Sequence, residues 1–119
     1  MSDLTRAATL ATIERFNEAF NRHDVDAVMA LFTEDCIFEN TSPAPDGERH
    51  VGQDAVRAFW EQFFAASPQA HFTAEDIFAS DDRVCVRWRY DWGEGHVRGV
   101  DVFRVVDGRV AEKLSYVKG

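Results

Sequence analysis

Apolar residues recur every three or four positions in three segments of the first half of the chain, and this spacing predicts amphipathic helices. The predicted helices cover residues 3–22, 24–32 and 53–66. Ser2 or Asp3 can cap the first helix, and Asp24 is a favourable N-cap for the second. Pro68 follows the third segment and prevents that helix from continuing.

From residue 71 onward, apolar and polar residues alternate with the period of two that predicts β-strands. Four strands follow one another, and the turns between them fall at Asp81-Asp82, near Glu94-Gly95 and at Asp107-Gly108. Asp-Gly between alternating runs is among the strongest short-range hairpin signals. A shorter strand is predicted from Cys36 to Asn40, and the Pro and Gly content of residues 41–52 predicts a loop.

The order of these elements predicts an α+β domain in which three N-terminal helices pack on one face of a strongly curved, mostly antiparallel sheet. The chain has 119 residues, which is enough for one domain with one hydrophobic core, so residues 1–119 are expected to fold as a unit. Strands of about ten residues are longer than usual and curl through their twist. Helices over such a sheet enclose a tapered, cone-shaped hollow.

Composition restricts the partners of this domain. The formal net charge of -8 repels phosphate backbones, so no nucleic-acid partner is expected. No apolar run approaches the length of a membrane span and the N-terminal residues lack the pattern of a secretory signal, so we expect a cytoplasmic protein without a membrane partner. Cys36 and Cys85 lie in apolar runs and are expected to be reduced core thiols. Ten Phe and three Trp supply the aromatic surface for a wide apolar pocket.

One carboxylic acid, Asp101, stands among apolar residues in the middle of a predicted strand. Alternation places it on the same face as Phe103 and Val105. If that face looks inward, Asp101 is an acid kept protonated by an apolar cavity, so that it can hold a carbonyl or hydroxyl oxygen of a ligand. If the face looks outward, the acid pairs with a sheet arginine. The candidate arginines are Arg87, Arg89 and Arg98.

The preceding strand carries an aromatic set and an ionic set on opposite faces. The aromatic set comprises Trp88, Tyr90 and Trp92, and the ionic set comprises Arg89 and Asp91. A two-residue turn at Glu94-Gly95 places the aromatic set on the face of Asp101, whereas a three-residue turn exchanges the two sets. The continuous apolar stripe of this strand favours the two-residue turn, which leaves the ionic set as an ion pair on the outer face.

Three segments carry a wider resemblance: "FNEAFNRHDVDAVMALFTEDCIFEN", "GQDAVRAFWEQF" and "VDVFRVVDGRV". They resemble the nuclear transport factor 2-like superfamily, and within it the SnoaL-like and ketosteroid-isomerase-like proteins. The resemblance covers nearly all of the chain and implies the cone-shaped fold. It implies function more loosely, because the superfamily includes isomerases, epoxide hydrolases, cyclases, dehydratases and binding proteins. It also implies a homodimer formed through the outer face of the sheet.

The resemblance extends to positions that are catalytic in family members. Ketosteroid isomerases carry a Tyr, a base Asp and a protonated Asp at the positions that match Phe16, Asn40 and Asp101, so one of the three is kept. Relatives of limonene epoxide hydrolase carry Tyr-x-Asn, Arg-x-Asp and a final Asp at the positions that match residues 38–40, residues 89–91 and Ser115. In this second set the Tyr and the final Asp are replaced.

The sequence therefore predicts a cofactor-independent enzyme of the isomerase, lyase or hydrolase type that acts on an apolar ring or carbonyl compound. Asp101 and Asn40 are the candidate catalytic residues, although Asn40 also fits a strand cap that bends the following loop. The candidate ligand-binding residues are Phe16, Phe38, Trp60, Trp88, Tyr90, Phe103 and Tyr116.

The alternative is a non-catalytic, dimeric small-molecule-binding protein, which the replacements at positions 16 and 40 favour. No cofactor is expected, because the chain has no glycine-rich cofactor motif. No metal is expected either, because the spacing of the four histidines does not match a metal-binding motif.

Overall fold

The computed structural model describes residues 3–118, with side chains from residue 5 onward, and this part of the chain forms three helices and one six-stranded sheet. The helices are α1 (Asp3–Asn21), α2 (Val25–Ala30) and α3 (Gln53–Ala66). The strands are β1 (Phe32–Glu39), β2 (Arg49–Val51), β3 (His71–Ser80), β4 (Arg83–Asp91), β5 (His96–Val106) and β6 (Arg109–Val117). The predicted α+β class is confirmed. The predicted cap at Ser2 or Asp3 lies outside the described side chains.

The junction between α1 and α2 follows local chemistry. Asp24 caps α2 as predicted, because its Oδ1 accepts a hydrogen bond from the N–H of Ala27 at 3.1 Å. Just before it, His23 adopts a left-handed conformation (φ 55°) that redirects the chain out of α1. At the end of α1, the Asn21 side chain accepts from the N–H of Phe72 at 2.9 Å and donates to the Phe72 carbonyl at 2.8 Å. This pair fixes the start of β3 against α1.

The sheet has the strand order β2-β1-β6-β5-β4-β3, in which β1 and β6 are parallel and the other neighbouring strands are antiparallel. We call the face covered by α1 and α3 the inner face. The core between helices and sheet includes Phe16, Trp60, Val86 and Phe103, all at most 2% exposed. Burial of this apolar surface is the main driving force for folding. Within residues 3–118, no helix combines the length and the hydrophobicity needed to cross a bilayer.

The first strand differs from its prediction, and a second strand lies in the segment predicted as a loop. β1 begins at Phe32 instead of Cys36 and ends one residue before Asn40. β2 pairs antiparallel with β1, with His50 opposite Phe38. A three-residue strand is too short to show alternation, and its pairing with β1 is a tertiary contact that the local pattern does not contain.

The β4–β5 hairpin has the predicted facing but a longer turn. Asp91 pairs with His96, so residues 92–95 form a four-residue turn, closed by a hydrogen bond from the Trp92 N–H to the Gly95 carbonyl at 3.1 Å. Turns of two and four residues give the same facing, because side chains alternate with a period of two. Trp88 and Tyr90 therefore share the inner face with Asp101, and the ionic set lies outside.

A β-bulge shifts the register of the β5–β6 hairpin. The predicted Asp107-Gly108 turn is present, both residues have positive φ (51° and 77°), and Val106 pairs with Arg109. Val105 then pairs with Val110 but Arg104 pairs with Glu112, so Ala111 is one extra residue on β6. Beyond the bulge, alternate residues of β6 exchange faces relative to a regular hairpin.

Candidate functional site

A cavity of about 240 Å³ lies between the inner face of the sheet and helices α1 and α3. Fifteen residues line this cavity, and nine of them are aromatic. The aromatic residues are Phe20, Phe38, Phe59, Trp60, Phe63, Phe72, Trp88, Tyr90 and Trp92. Such walls favour a flat, apolar ligand, because rings stack or meet edge to face.

Asp101 lies at the cavity and is 1% exposed. Its Oδ1 accepts a hydrogen bond from the Ser115 hydroxyl at 2.7 Å, and its Oδ2 lies 3.1 Å from the Nζ of Lys113. The Asp101 side chain thus faces the cavity, as the first of the two sequence-based interpretations predicts. The picture of an acid without a charged partner is wrong, however, because Asp101 pairs with a lysine of β6.

The outward alternative for Asp101 does not apply, because the sheet arginines lie on the outer face and two of them have other partners there. Arg89 pairs with Asp91 at 3.1 Å, and Arg98 pairs with Glu75 at 3.0 Å. The N–H of Gly93 donates to Asp91 and, with Arg89 nearby, holds the pKa of that carboxyl below its usual range. These contacts confirm the outer ion pair predicted for Arg89 and Asp91.

Lys113 is the third member of the group that we call the polar cluster, namely Asp101, Lys113 and Ser115. Its side chain is 8% exposed, and its Nζ also donates to the Ser115 Oγ at 3.0 Å. The ammonium lies 4.9 Å from the centroid of the Phe38 ring and 5.3 Å from that of Trp60, distances typical of cation–π contacts. Two charges buried this deeply are tolerated because each has a charged partner and further hydrogen-bonding or ring contacts.

The Ala111 bulge brings the polar cluster together. In a regular hairpin, Glu112 and Leu114 would face inward beside Asp101, but in the structure Lys113 lies opposite Phe103 and Ser115 lies opposite Asp101. Sequence reasoning did not identify Lys113 as a site residue. The available signal is a lysine in the middle of the last strand, but the direction of its side chain depends on the bulge.

Asn40 lines the cavity just beyond the end of β1. Its main-chain N–H donates to the carbonyl of Glu48 at 2.9 Å, and its side chain Nδ2 lies 3.5 Å from the carbonyl of Ser42. Gly47 approaches the Asn40 carbonyl so closely that a Cβ at position 47 would overlap it. Asn40 therefore shapes the loop, as expected of a strand cap. It also borders the cavity, as expected of a residue that contacts a ligand.

The predicted ligand-binding residues divide into three groups. Phe38, Trp60, Trp88 and Tyr90 line the cavity. Phe16 and Phe103 are core residues whose ring centroids lie 5.6 Å apart, and neither lines the cavity. Their prediction as ligand-binding residues is wrong. Tyr116 is 57% exposed and lies opposite Val100 on the outer face, because the bulge reverses its direction. Its prediction as a cavity residue is wrong.

Tyr90 supplies a phenol group to the cavity wall. Burial raises the pKa of this phenol, and a hydrogen bond with Ser67 opposes the increase to a smaller extent. Tyr90 is therefore a neutral group at neutral pH. Within the part of the chain that the structure describes, no group of three histidine, cysteine or carboxylate side chains is placed to bind a metal ion.

Comparison with known proteins identifies the family. Residues 13–113 match the model of the SnoaL-like domain. A nuclear transport factor 2-like protein of unknown function from Mesorhizobium loti is 42% identical over all of this chain and 98% of its own, with a TM-score of 0.87. None of the functionally curated proteins is similar enough to this chain to count as a relative.

More distant structures share the fold. A protein from Kribbella flavida, provisionally named a ketosteroid isomerase, is 20% identical over 96% of this chain and 80% of its own, with a TM-score of 0.82. A protein from Xanthomonas campestris, provisionally named a polyketide cyclase, is 25% identical over 96% of this chain and 93% of its own, with a TM-score of 0.77. Since the family model covers most of the chain and the 42% identical protein covers all of it, this protein belongs to the SnoaL-like family of the nuclear transport factor 2-like superfamily.

Proposed function

We propose that the protein binds a compound of one or two rings in the cavity, with an oxygen of the compound against the polar cluster. The observation that carries this proposal is the contrast within one cavity between nine aromatic wall residues and a buried ion pair. The volume of about 240 Å³ lies below the range of roughly 300–1,000 Å³ that is typical for drug-sized ligands. It suits a bicyclic compound better than a four-ring steroid.

The proposed activity is that of a cofactor-independent enzyme that transfers a proton next to a carbonyl group, as the first step of an isomerase or lyase reaction. The polar cluster would polarise the carbonyl oxygen, which makes the neighbouring C–H more acidic. Asp101 contributes the carboxylate, and Asn40 is a second polar group at the cavity. The provisional names of the isomerase and cyclase relatives support this class of chemistry.

The second candidate is a binding protein without catalysis, and one observation favours it. Among the residues that line the cavity, Asp101 is the sole carboxylate, and its two oxygens already interact with Ser115 and Lys113. A general base must reach the proton that it removes. If Asp101 cannot leave its partners, the cavity binds its ligand and leaves it unchanged.

One pair of measurements separates these candidates. Thermal unfolding is measured with 2-tetralone, a bicyclic ketone, because a ligand that binds the native state at about 100 times its Kd adds about 2.7 kcal/mol of stability. The exchange of its α-hydrogens in D2O is then followed by NMR with wild-type protein and with Asp101→Asn. Binding with exchange that depends on Asp101 supports the enzyme. Binding without faster exchange supports the binding protein, and failure of bicyclic compounds to bind contradicts both.

We also propose a homodimer through the outer face. An apolar row crosses this face from β3 to β6, where Phe78, Cys85, Val102 and Leu114 lie side by side on neighbouring strands. Phe78 is 57% exposed, and Tyr116 on the same face is equally exposed. Contiguous exposed apolar surface of this kind is typical of association sites.

A further inference from the structure

The heavy-atom contacts of the polar cluster indicate which of its donors are already used. Ser115 has one hydroxyl hydrogen, and it is donated to Asp101 Oδ1. The Asp101 carboxylate in the ion pair has none to donate. The Lys113 ammonium has three N–H groups; one is donated to Ser115 Oγ, and Nζ lies 3.1 Å from Asp101 Oδ2 in the ion pair. Even if the ion pair uses one N–H, Lys113 keeps one more as the donor that the cluster leaves for a ligand.

The lysine that carries this remaining N–H borders the cavity. Lys113 lines the cavity together with the rings of Phe38 and Trp60, which lie within 5.3 Å of its Nζ. A ring face is a weak acceptor, so a ligand oxygen placed there gains a stronger, charge-assisted hydrogen bond. The aromatic lining lowers the local polarity, which increases the strength of that interaction.

The charges around the cavity determine which oxygen fits. Asp101 and Lys113 cancel each other, and the residues described along the cavity include no further Lys, Arg, Asp, Glu or His. His50 lies behind Phe38 and Phe59, at ring distances of 6.0 and 5.2 Å, and Tyr90 is a neutral phenol. An oxygen that gains negative charge is attracted by the ammonium and repelled by the Asp101 carboxylate, so Lys113 is the charged group of the cavity that favours it.

We propose that the Lys113 ammonium is the group of this cavity that binds and stabilises an oxyanion, and that Asp101 positions it. The inference rests on the proposed function and specifies its ligand: a ring compound whose oxygen becomes an enolate or a phenolate. Asp101 thus acts through Lys113, in contrast to the sequence-based expectation that Asp101 itself donates a hydrogen bond to the ligand.

The ring contacts argue against a different use of the same lysine. A neutral amine could attack a ketone carbonyl and form an imine, with loss of one water molecule and of the proton that the ammonium carries. Three ring faces, those of Phe38, Trp60 and Phe103, lie within 5.9 Å of Nζ, and the Asp101 carboxylate lies 3.1 Å from it, which are the contacts of a lysine that acts as a cation. The geometry therefore favours a donor over a nucleophile.

The test compares 2-naphthol with naphthalene, which has the same rings and no oxygen. We expect the wild-type protein to bind 2-naphthol at least about tenfold more tightly and to lower the pKa of the bound naphthol by about one unit or more, as measured from its absorption spectrum. Lys113→Met should lose both effects and still bind naphthalene. Lys118→Met, the same change at an exposed lysine next to the end of β6, is the matched control and should behave as wild type.

Lys113→Met leaves Asp101 without its partner, so the double variant Asp101→Asn, Lys113→Met provides a second measurement on a cavity without charges. It should bind both compounds about equally. Equal binding of the two compounds by wild-type protein, or an unchanged naphthol pKa in Lys113→Met, overturns the inference and leaves the proposed function intact. An adduct on Lys113 after borohydride reduction with 2-tetralone also overturns it. If neither compound binds the wild-type protein, the proposed function itself fails.

Discussion

Asp101 and Lys113 exchange almost all of their contact with water for contact with each other, with Ser115 and with aromatic rings. Removing two charges from water is costly, and the Coulombic attraction of a buried pair offsets that cost only when both partners remain. The buried ion pair therefore adds little to the net stability of the fold, and its presence indicates that the site needs these two charges. Its energetics can be measured independently of any ligand.

We expect Asp101→Asn and Lys113→Met to destabilise the protein by about 3–5 kcal/mol each, because each leaves an unpaired buried charge. The double variant should be less destabilised than the sum of the two single variants, since it contains neither charge. Urea denaturation of the four proteins measures this coupling. Lys118→Met, at an exposed position, is the control and should change stability by less than about 0.5 kcal/mol. Additive effects of the two buried substitutions would contradict the ion pair.

The outer ion pair of Arg98 with Glu75 predicts a pH dependence. The hydrogen bond from Arg98 holds the pKa of Glu75 below its usual range. A carboxyl whose pKa is lower in the folded than in the unfolded state contributes stability above its unfolded pKa and loses it as the pH falls through the folded pKa. Arg98→Met should therefore reduce stability at pH 7 and have almost no effect near pH 2.

NMR titration of Glu75 measures the same linkage directly, and its pKa should return toward the ordinary value in Arg98→Met. Arg109→Met, at an exposed position of β6, is the control and should leave the Glu75 titration unchanged. A Glu75 titration that is the same in Arg98→Met and in wild type would contradict the assignment. The effect is expected to be modest because the pair is on the surface.

At the scale of the elements, the parts that the sequence predicts are those specified by local chemistry. The spacing of Ile13 and Phe16 predicts α1, Asp24 caps α2, and the Asp107-Gly108 turn is found where its residues favour positive φ. β2 and the Ala111 bulge were not predicted, because both depend on pairing between strands. For the same reason the site was predicted in part: the direction of Asp101 follows from β5, but its partner Lys113 follows from the bulge on β6.

Gly99 is a position of β5 where the absence of a side chain is required. A Cβ at this position would lie 2.5 Å from the Trp88 indole and would overlap the main-chain oxygen of Tyr116. Gly99→Ala should therefore shift Trp88 and destabilise the protein by about 1–3 kcal/mol, as overpacking does. Urea denaturation gives the stability, and fluorescence reports the displaced indole.

Gly95→Ala is the matched control for this experiment. Its Cβ would meet the side chain of Trp92, which is 40% exposed and can move aside. We expect a change of less than about 0.5 kcal/mol at this position. A Gly99→Ala protein as stable as wild type, with unchanged fluorescence, would show that the Trp88 indole does not lie against Gly99.

At the scale of the whole molecule, the helices cover one face of the sheet and leave the apolar row of the other face exposed. We expect Phe78→Arg to convert the proposed dimer into a monomer. In a two-fold interface each protomer would contribute one such arginine, and both charges would be buried without a partner. Sedimentation velocity measures the change. Ala65→Arg adds the same charge to an exposed position of α3 and should leave the dimer intact. A wild-type protein that sediments as a monomer at all concentrations would contradict the proposal.

The reactivity of the two cysteine thiols provides a second test of the proposed dimer interface. Cys36 is fully buried, whereas Cys85 is partly exposed within the apolar row, and burial raises the pKa of both thiols. In the dimer both thiols should react slowly with iodoacetamide. In Phe78→Arg, Cys85 should react faster and Cys36 should remain protected, as followed by mass spectrometry. Equal rates for Cys85 in the two proteins would place the interface elsewhere.

The extra residue on the last strand also bears on how this family diversifies. If the same residues paired as a regular hairpin without the bulge, residues 112, 114 and 116 would line the interior, and a glutamate would take the place of the lysine. Deletion of Ala111 itself would keep the lysine inside, because Arg104 would still pair with Glu112 and Phe103 with Lys113. The register of one hairpin thus decides which charge a bound compound meets, so relatives are best compared by strand pairing, since a column-by-column alignment hides such a reversal.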